Sequence, residues 1–213
     1  MSRSMKFCLS AILAVGTLPI HAQLRQQPTQ VMDASALKPP AGARVAIVEF
    51  ADLECPACGH ENPLLMAAVS QYHIPWVRHD FPLPAHPWAF QAAVYARWFD
   101  SQSKDFGEQY RNAVFANQRN IETADDLRNA TEKFAQDRHL SLPFAVDPQN
   151  KFSDAIKADV SLAQRMGLRE TPTVFIVASG GNAQPYVQVT DTSQLYSMID
   201  RALAETQSST GKK

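Results

Sequence analysis

The sequence predicts an α/β fold, a mixed central sheet with an inserted helical lobe, and three observations carry that reading. Short β-branched apolar runs occur at 44–52, 74–83, 171–179 and 185–189, each the length of a strand. Between the second and third runs, residues 85–167 show helical spacing and few strand signals. The order is then strand–helix–strand, a block of helices, and strand–strand–helix. A helix between the first two strands makes them parallel, and a tight turn between the last two makes them antiparallel.

Taken in order, residues 1–22 read as an export signal. Arg3 and Lys6 precede "FCLSAILAVGTLPI", and Ala22 marks the expected cleavage edge. The apolar stretch is shorter than the roughly 20 residues of a bilayer span, although a retained anchor is the competing reading. Residues 23–43 are polar and Pro-containing, hence a flexible lead-in. "RVAIVEFAD" (44–52) is a buried strand. "PACGHENPLLMAAVSQY" follows as a helix, with Pro56 at its first position and Pro63 expected to kink it. "IPWVRHDFPL" (74–83) is the second strand.

The lobe begins near His86 and Pro87, where Trp88, Ala92, Tyr95 and Phe99 fall at helical spacing. Trp76, Trp88 and Trp98 read as packing residues. A later helix in "DPQNKFSDAIKADVSLAQRMG" is expected to take Asp147 as its cap, Pro148 as its first residue and Gly167 past its end. "TPTVFIVAS" and "PYVQV" flank a "GGN" turn as a hairpin, and a last helix is capped by Asp191 or Thr192. The chain thus divides into a first sheet part (44–84), the insertion (85–167), a second sheet part (168–206) and a disordered tail (207–213).

Composition narrows the function. The 213 residues are 45% apolar and 19% charged, with a formal net charge of -1, which suits one domain carrying an insertion. That balance leaves no electrostatic footprint for nucleic acid and no polybasic patch for a membrane surface. Of three cysteines, Cys8 lies in the export signal, so Cys55 and Cys58 are the pair an exported chain keeps. One close pair in a large exported domain is no disulfide scaffold.

A Cys-x-x-Cys has four uses. Haem attachment needs His directly after the second cysteine, where this chain has Gly59. Structural zinc needs about four ligands, and no second pair exists. A purely structural staple gains least from so short a loop. Redox exchange fits best. Cys55 would precede a helix whose free first-turn amides favour its thiolate, while Cys58, one turn further in, would stay a buried thiol. Cys55 then exchanges with the partner and Cys58 resolves the mixed disulfide.

"VEFADLECPAC" (48–58), Pro63 within the following helix and "TPT" (171–173) opening a strand together resemble the thioredoxin superfamily. The helical insertion resembles its DsbA-like thiol:disulfide oxidoreductases of the bacterial envelope. The resemblance covers roughly 44–206 and implies a thioredoxin fold. It further implies a cis bond before Pro172 beside the sulfurs, and a Thr171 backbone able to pair with a substrate strand. Glu49 interrupts an apolar strand, which is costly without a partner or role; the resemblance makes it a buried acid that relays protons near Cys58. Glu54 is expected to be exposed and to oppose the thiolate, with Arg78 or His79 as candidate counter-charges.

The activity implied is exchange of the Cys55–Cys58 disulfide with thiol-containing exported proteins, most readily as an oxidase. A reductase, an isomerase and a non-catalytic binding protein are the rivals. The same resemblance implies a periplasmic or other extracytoplasmic location, a monomer, a membrane redox partner that reoxidises the pair, and no cofactor or metal.

Overall fold

The computed structural model describes residues 28–207. The export-signal reading of residues 1–22 and the tail beyond Gln207 lie outside the described residues. β1 (Val45–Ala51) is buried on both faces and apolar except at Glu49, because both faces are covered. Val45 and Ile47 pack against Leu65 and Ala68 of α1 (Pro56–Tyr72) and against Leu195 and Ile199 of α6 (Leu195–Gln207). Ala46, Val48 and Phe50 face Ala163 and Met166 of α5 (Lys151–Met166).

β1 is central. β2 (Trp76–Asp80) pairs with it in parallel, and β3 (Thr173–Ala178) pairs antiparallel on its other side. β4 (Tyr186–Gln188) pairs antiparallel with β3 at the edge, giving the order β2-β1-β3-β4. The architecture is the thioredoxin fold with an inserted helical lobe, and the strand directions agree with the sequence reading.

The lobe consists of α2 (Ala89–Gln102), α3 (Lys104–Asn117) and α4 (Ala124–Gln136). Their starts are written locally. The Ser103 side chain accepts from the Asp105 and Phe106 amides, and Thr123 with Asp126 forms a capping box. Trp88, Trp98, Phe99, Tyr110 and Phe134 fill the lobe core, which is continuous with Leu53, Cys55 and Cys58. The lobe therefore packs directly on the cysteine pair.

Two local expectations change, at the start of α5 and in the lead-in. α5 starts at Lys151, not at Pro148; residues 148–150 form a turn in which Asn150 takes φ 58. Asp147 still serves the helix, accepting from the Phe152 and Ser153 amides at 3.1 and 2.7 Å. Pro63 lies within α1, which spans Pro56–Tyr72 as one helix. Finally, residues 28–43 form no helix or strand but are docked on the body rather than loose. The Met32 amide donates to Met166 O at 3.2 Å, the Thr29 amide to Gln188 Oε1 at 2.7 Å, and Leu37 is buried. At the last helix, Asp191 is the cap of a 3-10 turn, Thr192–Gln194, that runs into α6.

Candidate active site

Cys55 is the N-cap of α1, with extended backbone (φ −70, ψ 119), and Pro56 occupies the first helical position. Proline is tolerated there because that residue's amide would have no helical partner. Cys58 lies one turn on and is fully buried, and both cysteines are free thiols in this structure.

Their environments drive the two sulfurs apart. The Cys55 thiol is lowered from 9.0 to about 5. The hydrogen bond from Cys58 does most; burial opposes it, and Thr171 and the amides of Cys58 and Ala57 add to it. Cys58 is pushed well above 9.0 by burial first, then by its bond to Cys55 and by the charges of Cys55 and Glu49.

The loop before β3, the strand paired with β1, meets Cys55 at the end of β1. The Thr171–Pro172 peptide is cis. The Cys55 thiol donates to Thr171 O at 3.3 Å. Thr171 Oγ1 is buried without a hydrogen-bond partner, and Thr171 is among the groups that lower the Cys55 thiol.

Glu49 faces the same side of β1 as Val45 and Ile47, toward α1, and is 1% exposed. The parallel register sets it beside Arg78, at 3.4 Å from Nε. That contact is a charge pair without hydrogen-bond alignment, so both carboxylate oxygens lack a hydrogen-bond partner. Burial raises the Glu49 carboxyl, and Arg78 only partly offsets it. Arg78 also reaches Glu108 at 3.2 Å and Asn62 at 2.6 Å, and lies over the Trp76 ring. The sequence offered Arg78 or His79 as a counter-charge to Glu54, but Arg78 pairs with Glu49 instead, and Glu54 accepts from the Trp88 amide. His79, the next residue along the strand, points the other way, to Asp159 at 2.8 Å and onto the Phe50 ring.

Among the residues near the sulfurs, Asp52, Gln118 and Glu61 were not singled out by sequence reasoning, and Glu54 was placed differently. Asp52 is buried; its amide donates to Cys58 Sγ at 3.5 Å, and its carboxylate accepts from the Glu54 and Leu83 amides and from His86 Nδ1. Glu54 is half-buried rather than exposed, because its carboxylate accepts from the Trp88 amide at the start of α2. Gln118 donates to the carbonyls of Leu53 and Cys55 at 2.8 and 3.0 Å. Glu61, one turn beyond Cys58, is buried and raised to about 7, by burial first and then by the charges of Glu49 and Cys55. A signal existed for Glu61: it is an acid at the i+3 position from Cys58, on the inward face of α1.

The family model described as Thioredoxin (Thioredoxin_4) matches residues 41–201. Among curated proteins, Na(+)/H(+) antiporter NhaA 3 of Salinispora tropica is 31% identical over 146 residues, covering 68% of this chain. Na(+)/H(+) antiporter NhaA 1 of Mycobacterium sp. strain KMS is 29% identical over 143 residues, covering 63%. The chain spans only 22% of the length of these relatives, and among the described residues no helix is long and apolar enough to cross a membrane.

Solved structures share the whole architecture. Pseudomonas aeruginosa DsbA2 is 24% identical with a TM-score of 0.57, covering 77% of this chain and 91% of that one. Wolbachia pipientis α-DsbA1 is 18% identical with a TM-score of 0.60, covering 80% and 91%. A periplasmic thioredoxin-like protein from Salmonella enterica serovar Typhimurium is 19% identical with a TM-score of 0.61, covering 81% and 94%. The chain belongs to the thioredoxin family, with the inserted helical lobe of its DsbA-like members.

Proposed function

We propose that this protein is an exported thiol:disulfide oxidoreductase that donates its Cys55–Cys58 disulfide to protein thiols, as a DsbA-like oxidase. The observation that carries the reading is the split between the sulfurs, Cys55 near 5 and Cys58 well above 9.0. A value near 5 lies between the ~7 of thioredoxin and the ~3.5 of DsbA. Each step down stabilises the reduced, thiolate form, and a stabilised reduced form makes the disulfide a better oxidant.

The chemistry balances as two displacements. A substrate thiolate attacks Cys55 Sγ, the Cys55–Cys58 bond breaks, and Cys58 leaves as a thiolate that takes up a proton. A second substrate thiolate then attacks its own cysteine in the mixed disulfide, and Cys55 leaves as a stabilised thiolate. Two electrons pass from substrate to the cysteine pair. Glu49, buried beside Arg78 and acting on Cys58, is the proton relay for the Cys58 thiolate. Thr171 and Pro172 offer backbone to the substrate strand and hold Cys55 between them and α1.

The substrates are exported proteins with free thiols, and a membrane redox partner restores the disulfide. The protein acts as a monomer outside the cytoplasm, without a cofactor. The export signal read at residues 1–22 supports that location, and so does the periplasmic Salmonella relative. The test is disulfide transfer to a reduced, unfolded substrate. The wild type should oxidise it, while Cys55→Ala and Cys58→Ala, neither with a disulfide to donate, should not; offered a substrate disulfide instead, the Cys55 thiolate of Cys58→Ala should attack it and accumulate as the mixed disulfide, the displaced substrate sulfur leaving as a thiol. Transfer that survives Cys55→Ala would contradict the proposal.

A further inference from the structure

The residues between the two cysteines, Pro56 and Ala57, carry no charge, and no basic side chain stands in the first turn of α1. An ionisable imidazole is nevertheless built into the site from the loop after β2. Asp52, its carboxylate sealed from solvent, takes a bond from His86 Nδ1 at 2.6 Å and from the Leu83 amide at 2.7 Å. A buried carboxylate needs donors and favours a charged one, and His86 is the ionisable group among those donors. The His86 side chain is 23% exposed, so the ring lies at the rim of the site.

The same short loop holds both sulfurs. The Cys55 amide donates to Asp52 O at 3.1 Å, and the Asp52 amide donates to Cys58 Sγ at 3.5 Å. Glu54 pins the Trp88 amide, two residues beyond His86, onto this loop at 2.7 Å. Segment 52–58 and segment 83–88 are therefore one scaffold, with Asp52 at its centre.

We propose that His86, held by Asp52, is a positioning residue for the disulfide exchange: its imidazolium stabilises the Cys55 thiolate and ties a proton on His86 to the redox state of the pair. The inference rests on the thiolate reading under Proposed function. The charged and titratable groups acting on His86 are Asp52, Cys55 and Glu54. Burial alone would lower the His86 ring, but the Asp52 bond and charge, then Cys55 and Glu54, carry it upward. The amides and the Cys58 thiol remain the larger influences on Cys55, so His86 adds to them. Oxidation removes the Cys55 negative charge, and His86 then gives up its proton more readily. Coupling between two sites is reciprocal, so each group should move the other's titration by the same factor.

Two measurements test this on the purified chain. Proton NMR follows the His86 ring in the oxidised and reduced wild type, and thiolate absorbance follows Cys55 in wild type, His86→Gln and His86→Lys. The expected result is a His86 midpoint higher in the reduced protein. His86→Gln should lower the Cys55 thiolate fraction at acidic pH by roughly threefold to tenfold, and His86→Lys should return it toward wild type. Identical His86 titrations in both redox states would overturn the inference, as would a loss common to both variants, which marks a packing role. A wild-type Cys55 that titrates like free cysteine overturns the underlying thiolate reading as well. A Cys55 midpoint near 5 that ignores His86→Gln overturns the His86 role alone. The NMR comparison needs no variant and stands even if a substitution fails to fold.

Discussion

The Cys55 thiol rests on the Thr171 carbonyl oxygen at 3.3 Å, and the Thr171 hydroxyl beside it is buried with no other partner. The carbonyl accepts from the thiol, and the unpartnered hydroxyl is a donor available to the thiolate, which lowers the Cys55 thiol. Thr171→Val keeps the carbonyl and the side-chain shape but removes the donor. The Cys55 midpoint should rise, and alkylation of the reduced protein at pH 5 should slow by roughly tenfold, in line with loss of one hydrogen bond to a charged group. Melting temperature should hold or rise, because an unpaired buried hydroxyl is removed. An unchanged pH profile of alkylation would remove the hydroxyl from the account.

Redox state should set stability in a pH-dependent way. The Cys55 pKa in the folded, reduced protein is about 5, against an ordinary value of 9.0. Folding is then favoured by the thiolate fully above pH ~9, less as pH falls from ~9 toward ~5, and not at all below ~5. Cys58, shifted upward, weakens the reduced fold only above its ordinary value, outside this window. At pH 7 the reduced form should melt above the oxidised form, and the gap should close as pH approaches 5. Melting curves of both forms at pH 5, 6 and 7 check this; a gap that widens toward acid would reverse the sign of the account.

Glu49→Gln probes the relay. Arg78 keeps Glu108 and Asn62 as partners, so the variant should fold. Turnover with a reduced substrate at neutral pH should fall on the order of 100-fold, the low end of what a positioned proton carrier contributes. The Cys55 alkylation midpoint should stay within a few tenths of wild type. Full activity in Glu49→Gln would reduce Glu49 to a buried charge without a part in exchange.

The lobe depends on a close approach at Gly107. A Cβ there would stand 1.8 Å from Asp100 Oδ1, displacing the two-bond pair between Asp100 and the buried Arg111. Gly107→Ala should cost about 2–4 kcal/mol, since breaking a buried ion pair is expensive. Urea unfolding measures it; a loss under ~0.5 kcal/mol would mean that the pair re-forms around the methyl group.

What the sequence made legible follows from how local each signal is. β1 and the start of α1 were readable because an apolar run and a proline at the first helical position act within a few residues. Asp147 was recognised as a cap, but Pro148 was misplaced, because the cap reaches forward to Phe152 and Ser153. Cys55, Cys58 and Glu49 stood out by type and spacing. His86 did not, because its partner Asp52 is 34 positions away and only the folded loop brings them together. Glu54 was misread for the same reason: its partner, the Trp88 amide, is also 34 positions distant. Arg78 and His79 were offered as counter-charges to Glu54, and neither is: strand alternation sends adjacent side chains to opposite faces, Arg78 to Glu49 and His79 to Asp159.

The central claim is that the Cys55 environment makes the disulfide a donor. Its most direct test is the equilibrium reduction potential of the Cys55–Cys58 pair in glutathione buffers at pH 7. The account predicts a value toward the oxidising end, nearer the ~−120 mV of DsbA. A value near ~−270 mV, that of thioredoxin, would contradict it and make the protein a reductant.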